Sequence, residues 1–264
     1  MKNRFQNGFS LVELMVGMVV GMIIVAGATN VYLTTVVSSS DTLKQSKLNQ
    51  ELSTLMSVMA GDIIRAGVTG NLDYTSPQSN AFNQVDNTAL EVIDNMTDNN
   101  QVGWADRATG GSCIVYAYDA DLDGTVDDTD IFGFRLNNGV VEMRQQGDVV
   151  NNTRHDSCND ADDTWLPVTD GRVVNVTNLN FTFPESKCIN TQEPNDADED
   201  GDGTNDNSGE LDCYDTVPAN GSGKITVEVR QIDIKVEGQL VADASVSVDF
   251  QQSVRVRNDL VRVR

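Results

Sequence analysis

Residues 8–37 read GFSLVELMVGMVVGMIIVAGATNVYLTTVV, a run in which Glu13 is the sole charge. The stretch from Leu14 to Val37 is uncharged throughout. At 1.5 Å per residue it makes a helix of roughly 36 Å, longer than a hydrocarbon core of about 30 Å. The run can therefore cross a membrane. Ahead of it stand Lys2 and Arg4, whereas the chain that follows is acidic. Basic flanks stay on the cytoplasmic side, so this asymmetry places the N-terminus in the cytoplasm and the bulk of the chain outside. A carboxylate within such a helix costs about 2.5 to 3.5 kcal/mol on insertion scales, so Glu13 needs a partner, or else a place at the interface from which it reaches water.

The helical pattern continues beyond the apolar run. No proline occurs before Pro77, and Leu48, Leu52, Leu55, Met59 and Ile63 recur at spacings of three and four. One helix is thus expected from about Phe9 to Arg65, stopping near Gly67, with residues 9–37 apolar all round and residues 38–67 amphipathic. Gly17 and Gly21 form a GxxxG in the apolar part, a spacing compatible with close helix packing. Residues 68–88 are rich in Asn, Ser, Thr, Gly and Asp and read as a surface loop. Strand candidates follow at 89–93, 113–118, 131–136, 140–145, 172–183, 224–236 and 244–256, and Asn137-Asn138-Gly139 signals a tight hairpin. The alternation Ile225, Val227, Val229 changes phase before Ile232, Ile234, Val236, which suggests a bulge or bend near Gln231. These elements predict an α+β chain, one long N-terminal helix laid on a mostly antiparallel sheet, with a β-rich globular head over residues 68–264.

A secretory signal peptide has its apolar core upstream of the cleavage site. Here Gly8 to Glu13, GFSLVE, stands after a short basic leader and before the spanning run, and in this it resembles the type III signal of type IV prepilins and pseudopilins. The resemblance implies removal of a leader, residues 1–8, between Gly8 and Phe9, retention of the helix, N-methylation of Phe9 and a pairing of Glu13, fifth in the mature chain, with the N-terminal amine of a neighbouring subunit. Residues 49–67, NQELSTLMSVMAGDIIRAG, are similar to the end of the long helix in PilW-type minor pilins. That likeness implies the type IV pilin-like fold and a non-enzymatic subunit that initiates or caps a type IV pilus, and hence a part in adhesion and twitching motility. The implied partners are prepilin peptidase, other minor and major pilins and a tip adhesin. The implied location is the inner membrane with the head in the periplasm, and then the extracellular pilus. GspJ-type pseudopilins of type II secretion share much of the pattern and form the alternative within the same class. A membrane-anchored, calcium-binding adhesive module is the alternative from another class.

Composition narrows the remaining choices. In 264 residues, 39% apolar, there is room for a real core. Forty acidic residues against eighteen basic give a net charge of −22, which excludes nucleic acid as an expected partner. The single histidine, His155, leaves few catalytic or zinc constellations, and no GxSxG, P-loop or Rossmann fingerprint is present. An enzyme is not expected.

Two acidic loops remain. Asp119, Asp121, Asp123, Asp127 and Asp130 place oxygens at relative positions 1, 3, 5, 9 and 12, with Gly124 at 6 and the carbonyl of Thr125 at 7. This is the spacing at which an EF-hand-like loop wraps calcium. With an aspartate at position 12 and strands rather than helices on either side, it is more similar to the calcium repeats of extracellular proteins of the thrombospondin type 3 kind. A second run, Asp198, Asp200, Asp202, Thr204 and Asp206, repeats the first five positions, with Gly209 at position 12. Calcium, held structurally, is the cofactor expected in both. The other reading is a pair of solvated acidic loops. Cys113, Cys158, Cys188 and Cys213 lack CxxC spacing, and outside the cytoplasm they are expected to form two disulfides. Of the three connectivities, Cys188 with Cys213 around the second loop and Cys113 with Cys158 around the first is preferred, and free buried thiols are the alternative.

Overall fold

The computed structural model describes residues 10–70, 79–84, 88–147, 157–159, 163–190 and 225–263. Among these described residues are one long helix, α1 (Leu11–Ile63), and eleven strands. The chain divides into two units, Met1–Lys47 and Leu48–Arg264. The first is helical from Leu11 onward, and the second holds the last part of α1 and all the described strands.

The strands are β1 (Glu91–Ile93), β2 (Cys113–Ala117), β3 (Ile131–Asn137), β4 (Val140–Gln146), β5 (Thr164–Pro167), β6 (Val174–Thr182), β7 (Lys187–Asn190), β8 (Ile225–Val229), β9 (Gln231–Leu240), β10 (Asp243–Arg255) and β11 (Leu260–Val263). They pair antiparallel throughout, which fits the α+β pilin-like expectation. Where one sheet is expected from sequence, the described residues form three. A five-stranded meander runs β1-β2-β3-β4-β5, and two three-stranded sheets have the orders β10-β9-β6 and β11-β8-β7. Strands β5, β7 and β11 are four residues each, too short to stand out by periodicity. The turn between β3 and β4 has Asn138 at φ 49° and Gly139 at φ 82°, with Asn137 opposite Val140, the two-residue hairpin that Asn-Gly favours.

The phase change near Gln231 proves to be a change of partners rather than a bulge. Arg230 alone separates β8 from β9, and beyond it the chain leaves the β7/β11 sheet for the β6/β10 sheet. Even-numbered residues face inward on both sides of Arg230. In β9 these are Ile232, Ile234, Val236 and Leu240, but in β8 they are Thr226 and Glu228. Glu228 is buried because it is paired, with Arg230 and Arg262 each at 3.2 Å, while Arg230 also donates to the Leu90 carbonyl at 3.0 Å.

The core of the second unit is organised by the last four turns of α1. Leu48, Leu52, Leu55, Met59 and Ile63, the stripe read from the sequence, are all buried with Ile114, Phe134, Phe181, Ile234 and Val236. Burying each such side chain contributes roughly 1.5 to 3 kcal/mol, which is what holds a helix end without strong local signals. Within the same face lies Asp62, only 5% exposed. It accepts hydrogen bonds from the hydroxyls of Tyr116 at 2.6 Å and Tyr118 at 3.0 Å, and it pairs with Arg65, whose guanidinium also lies over the Tyr118 ring. Burial, and after it the Asp62 charge, push both tyrosine hydroxyls above their ordinary pKa. Phe82, in the stretch expected to be a surface loop, is fully buried with Ala117 and Ile131. Loop composition around it masked one anchoring aromatic.

Candidate functional site

Two features carry the sequence-derived expectations, the N-terminal part of α1 and the loop between β2 and β3. In the first, every Leu, Ile, Val, Met and Tyr from Leu11 to Val37 is exposed. The helix is long and apolar enough to cross a membrane. Its few hydroxyls are satisfied within the helix: Thr29 donates to the Val25 carbonyl, Thr34 to those of Asn30 and Val31, and Thr35 to that of Val31. Such back-bonding satisfies these three threonine hydroxyls without water, which suits an apolar surrounding. Glu13 is exposed in the first turn, where a negative charge faces the positive end of the helix dipole. Gly17 and Gly21 have nothing within 4 Å of the position a Cβ would take, so this face is open to a neighbour. Gly8 and Phe9 lie outside the described residues.

The second feature begins where β2 ends. Asp119 is buried. Its amide donates to the Val68 carbonyl at 2.9 Å, and its Oδ2 accepts from the amides of Gly70 at 2.8 Å and Gly124 at 3.0 Å. The loop is thereby tied to the segment that leaves α1. The contact needs glycine at 70, because a Cβ there would fall 2.8 Å from the Leu122 carbonyl oxygen. Leu122 at φ 65° and Gly124 at φ 80° curl the loop back on itself, and Asp121 and Asp123 each accept the amide two residues on, at 3.1 and 2.7 Å. The carboxylates of Asp119, Asp121 and Asp123 can each place an oxygen within 4.8 Å of the others.

Asp127 and Asp130, the last two of the expected ligand set, accept hydrogen bonds within the loop. They form a reciprocal cap around the short turn Asp128–Asp130: Asp127 accepts from the Thr129 amide and hydroxyl, and Asp130 accepts from the Asp127 amide. The other oxygen of Asp130 accepts from the Ala120 amide at 2.8 Å. The Thr129 hydroxyl and amide hold the Asp127 carboxyl below its ordinary pKa. Burial pushes the Asp130 carboxyl up, against the two amides that it accepts from. Both carboxylates thus brace the loop from within. The Thr125 amide donates to Asp123, and the second acidic run, Asp198, Asp200, Asp202, Thr204 and Asp206, lies outside the described residues.

Cys113 of β2 and Cys158 form a disulfide, and Cys188 of β7 is disulfide-bonded as well; Cys213 lies outside the described residues. Polar contacts that no spacing rule could have found hold the segment around Cys158. Arg135 donates to the Cys158 carbonyl at 2.5 Å, Arg144 to that of Ser157 at 2.8 Å, and the Cys158 amide donates to Asn99 at 2.8 Å. Arg144 is itself buried and paired with Asp163. The sequence signal that was available is Trp165, whose ring faces the guanidiniums of Arg135 and Arg144 at 4.2 and 5.2 Å.

Comparison with known families joins the two units. The model for prepilin peptidase-dependent protein B matches residues 41–256, and the model for the prokaryotic N-terminal methylation motif matches residues 3–29. No curated protein and no solved structure matches the chain. One match covers most of the β-rich unit, and the other lies over the start of the apolar helix that carries Glu13. The chain is a pilin-like protein and belongs to the prepilin peptidase-dependent protein B family.

Proposed function

We propose that this protein is a minor pilin, a non-enzymatic subunit that acts in the initiation or at the tip of a type IV pilus. The observation that carries this reading is the N-terminal part of α1, apolar and exposed over its whole circumference with one carboxylate near its start. A surface of that size is stable only against lipid or other apolar helices. Prepilin peptidase removes the leader between Gly8 and Phe9, and Phe9 is methylated. The helix waits in the inner membrane with the head in the periplasm, then exchanges lipid for the helices of neighbouring pilins. Glu13 recovers its desolvation cost by pairing with the new N-terminal amine of an adjacent subunit. The head then meets other minor pilins or an adhesin, and the filament serves adhesion and twitching motility.

Two variants separate the steps. Gly8→Val puts a branched side chain at the cleavage junction and leaves a precursor that keeps Lys2 and Arg4. Glu13→Ala is cleaved but enters filaments poorly. Mass spectrometry of the N-terminus and immunoblots of sheared pili read both. Wild-type levels of Glu13→Ala in filaments would refute the pairing role. Absence of the wild-type protein from pili, together with a secretion defect in its deletion strain, would assign the chain to a secretion pseudopilus instead.

A further inference from the structure

Clusters of exposed carboxylates are common and usually mean solvation, and Asp121 and Asp123 alone would deserve that reading. Asp119 does not. It is 3% exposed, and while its Oδ2 accepts two backbone amides, its Oδ1 is shielded from solvent with no hydrogen-bond partner among the described residues. A buried, unmatched carboxylate oxygen costs several-fold more than a surface one, and native structures rarely keep it unless something else supplies the missing contact. Three donors of the same loop are committed elsewhere: the Thr125 amide goes to Asp123, the Ala120 amide to Asp130 and the Thr129 hydroxyl to Asp127. What the chain does place beside Asp119 is more negative charge, since Asp121 and Asp123 each bring a carboxylate oxygen within 4.8 Å of one of its oxygens. A buried carboxylate with an unmatched oxygen and two further carboxylates beside it call for a cation.

We propose that the loop 119–125 is a divalent-cation site that takes calcium, with carboxylate ligands from Asp119, Asp121 and Asp123, the carbonyl of Thr125 as a further oxygen, and water on the open side. All donors are hard oxygens, and two of the three carboxylates are exposed, so the shell can be large and irregular; calcium accepts that, whereas magnesium demands a near-ideal octahedron. Asp127 and Asp130 shape the loop from outside the shell, through the cap around Asp128–Asp130. The ion also has a structural consequence. Because Asp119 holds the Gly70 amide and donates to the Val68 carbonyl, fixing Asp119 fixes the exit of α1 against β2.

The test uses the full-length chain in detergent, stripped with EDTA and desalted. Calcium chloride is titrated by calorimetry, and hydrogen–deuterium exchange is followed in peptides covering residues 67–70 and 119–125. The comparison is with Asp121→Asn/Asp123→Asn, substitutions at exposed positions, and with Asp123→Asn alone should the double variant fail to accumulate. Since the run at 198–206 is also acidic, the readout is a difference. The variant is expected to take up one calcium fewer per chain, or to bind that ion at least tenfold more weakly. Calcium is expected to slow exchange at Gly70 and Gly124 in the wild type but not in the variant. Equal uptake by both proteins would overturn the proposal, as would wild-type exchange that ignores calcium. Equal protection by the same concentration of magnesium chloride would overturn the choice of ion.

Discussion

Replacing Asp62 by alanine should damage the buried face of α1 about as much as truncating one of its apolar side chains, although it removes no apolar area. The carboxylate is the acceptor for Tyr116 and Tyr118, both buried, at 2.6 and 3.0 Å. Its loss leaves two phenol hydroxyls unmatched, each costing about 1 to 3 kcal/mol. Tyr118 cannot swing out freely, because its ring stacks on Phe132 at 4.0 Å between centroids. The lost ion pair adds little, since Arg65 is 52% exposed and water replaces its partner. A total of about 3 kcal/mol corresponds to a fall of about 6 to 12 °C in Tm for a unit of this size. A double-mutant cycle isolates the cause. With Tyr116→Phe and Tyr118→Phe already in place, no hydroxyl remains to be stranded, so Asp62→Ala should cost at least about 1.5 kcal/mol less than in the wild type. The assay is thermal or urea unfolding of the full chain in detergent, followed by near-ultraviolet circular dichroism. Additivity of the changes within about 0.5 kcal/mol would refute the claim that these hydrogen bonds, rather than helix propensity at position 62, determine the loss.

The same cluster predicts alkaline sensitivity. Tyr116 and Tyr118 have folded-state pKa values raised above the ordinary value of about 10, so their contribution is complete below about pH 10 and is lost as pH rises beyond it, because only the unfolded chain releases those protons readily. Tm should fall steadily above about pH 10, and in a 295 nm titration two of the five tyrosines should ionise only as the protein unfolds; five tyrosines titrating together in a still-folded chain would contradict this. For the disulfide, Cys113 and Cys158 are 45 residues apart, and closing a loop of that length restricts the unfolded chain by roughly 4 kcal/mol in the chain-entropy treatment. Reduction, or Cys113→Ser with Cys158→Ser, should therefore lower Tm by several degrees, and an unchanged Tm with the bond shown open by mass spectrometry would refute that contribution.

What the sequence by itself determined is the part of this protein whose signals are local. Helix length, the absence of proline before Pro77, the apolar run from Leu14 to Val37 and the three-four spacing from Leu48 to Ile63 lie along one stretch of chain, and together they set α1 within two residues at each end. Asn138-Gly139 likewise specifies its own hairpin, since the turn conformation is a property of those residues. Only the tertiary structure decided that the strands sort into three sheets and that the chain changes sheet at Arg230, because partner choice depends on residues far apart in sequence. It also decided which polar groups are buried. Asp62 in α1 is inside because Tyr116 and Tyr118 arrive from β2 and just beyond it to meet it, and Glu228 in β8 is inside because Arg262 of β11 and the adjacent Arg230 pair with it. The same holds in the acidic loop. Spacing treats Asp119, Asp121, Asp123, Asp127 and Asp130 alike, whereas folding buries Asp119 beside Gly70 and closes Asp127 and Asp130 into a cap, since a carboxylate's role follows from the donors around it and not from its place in a repeat.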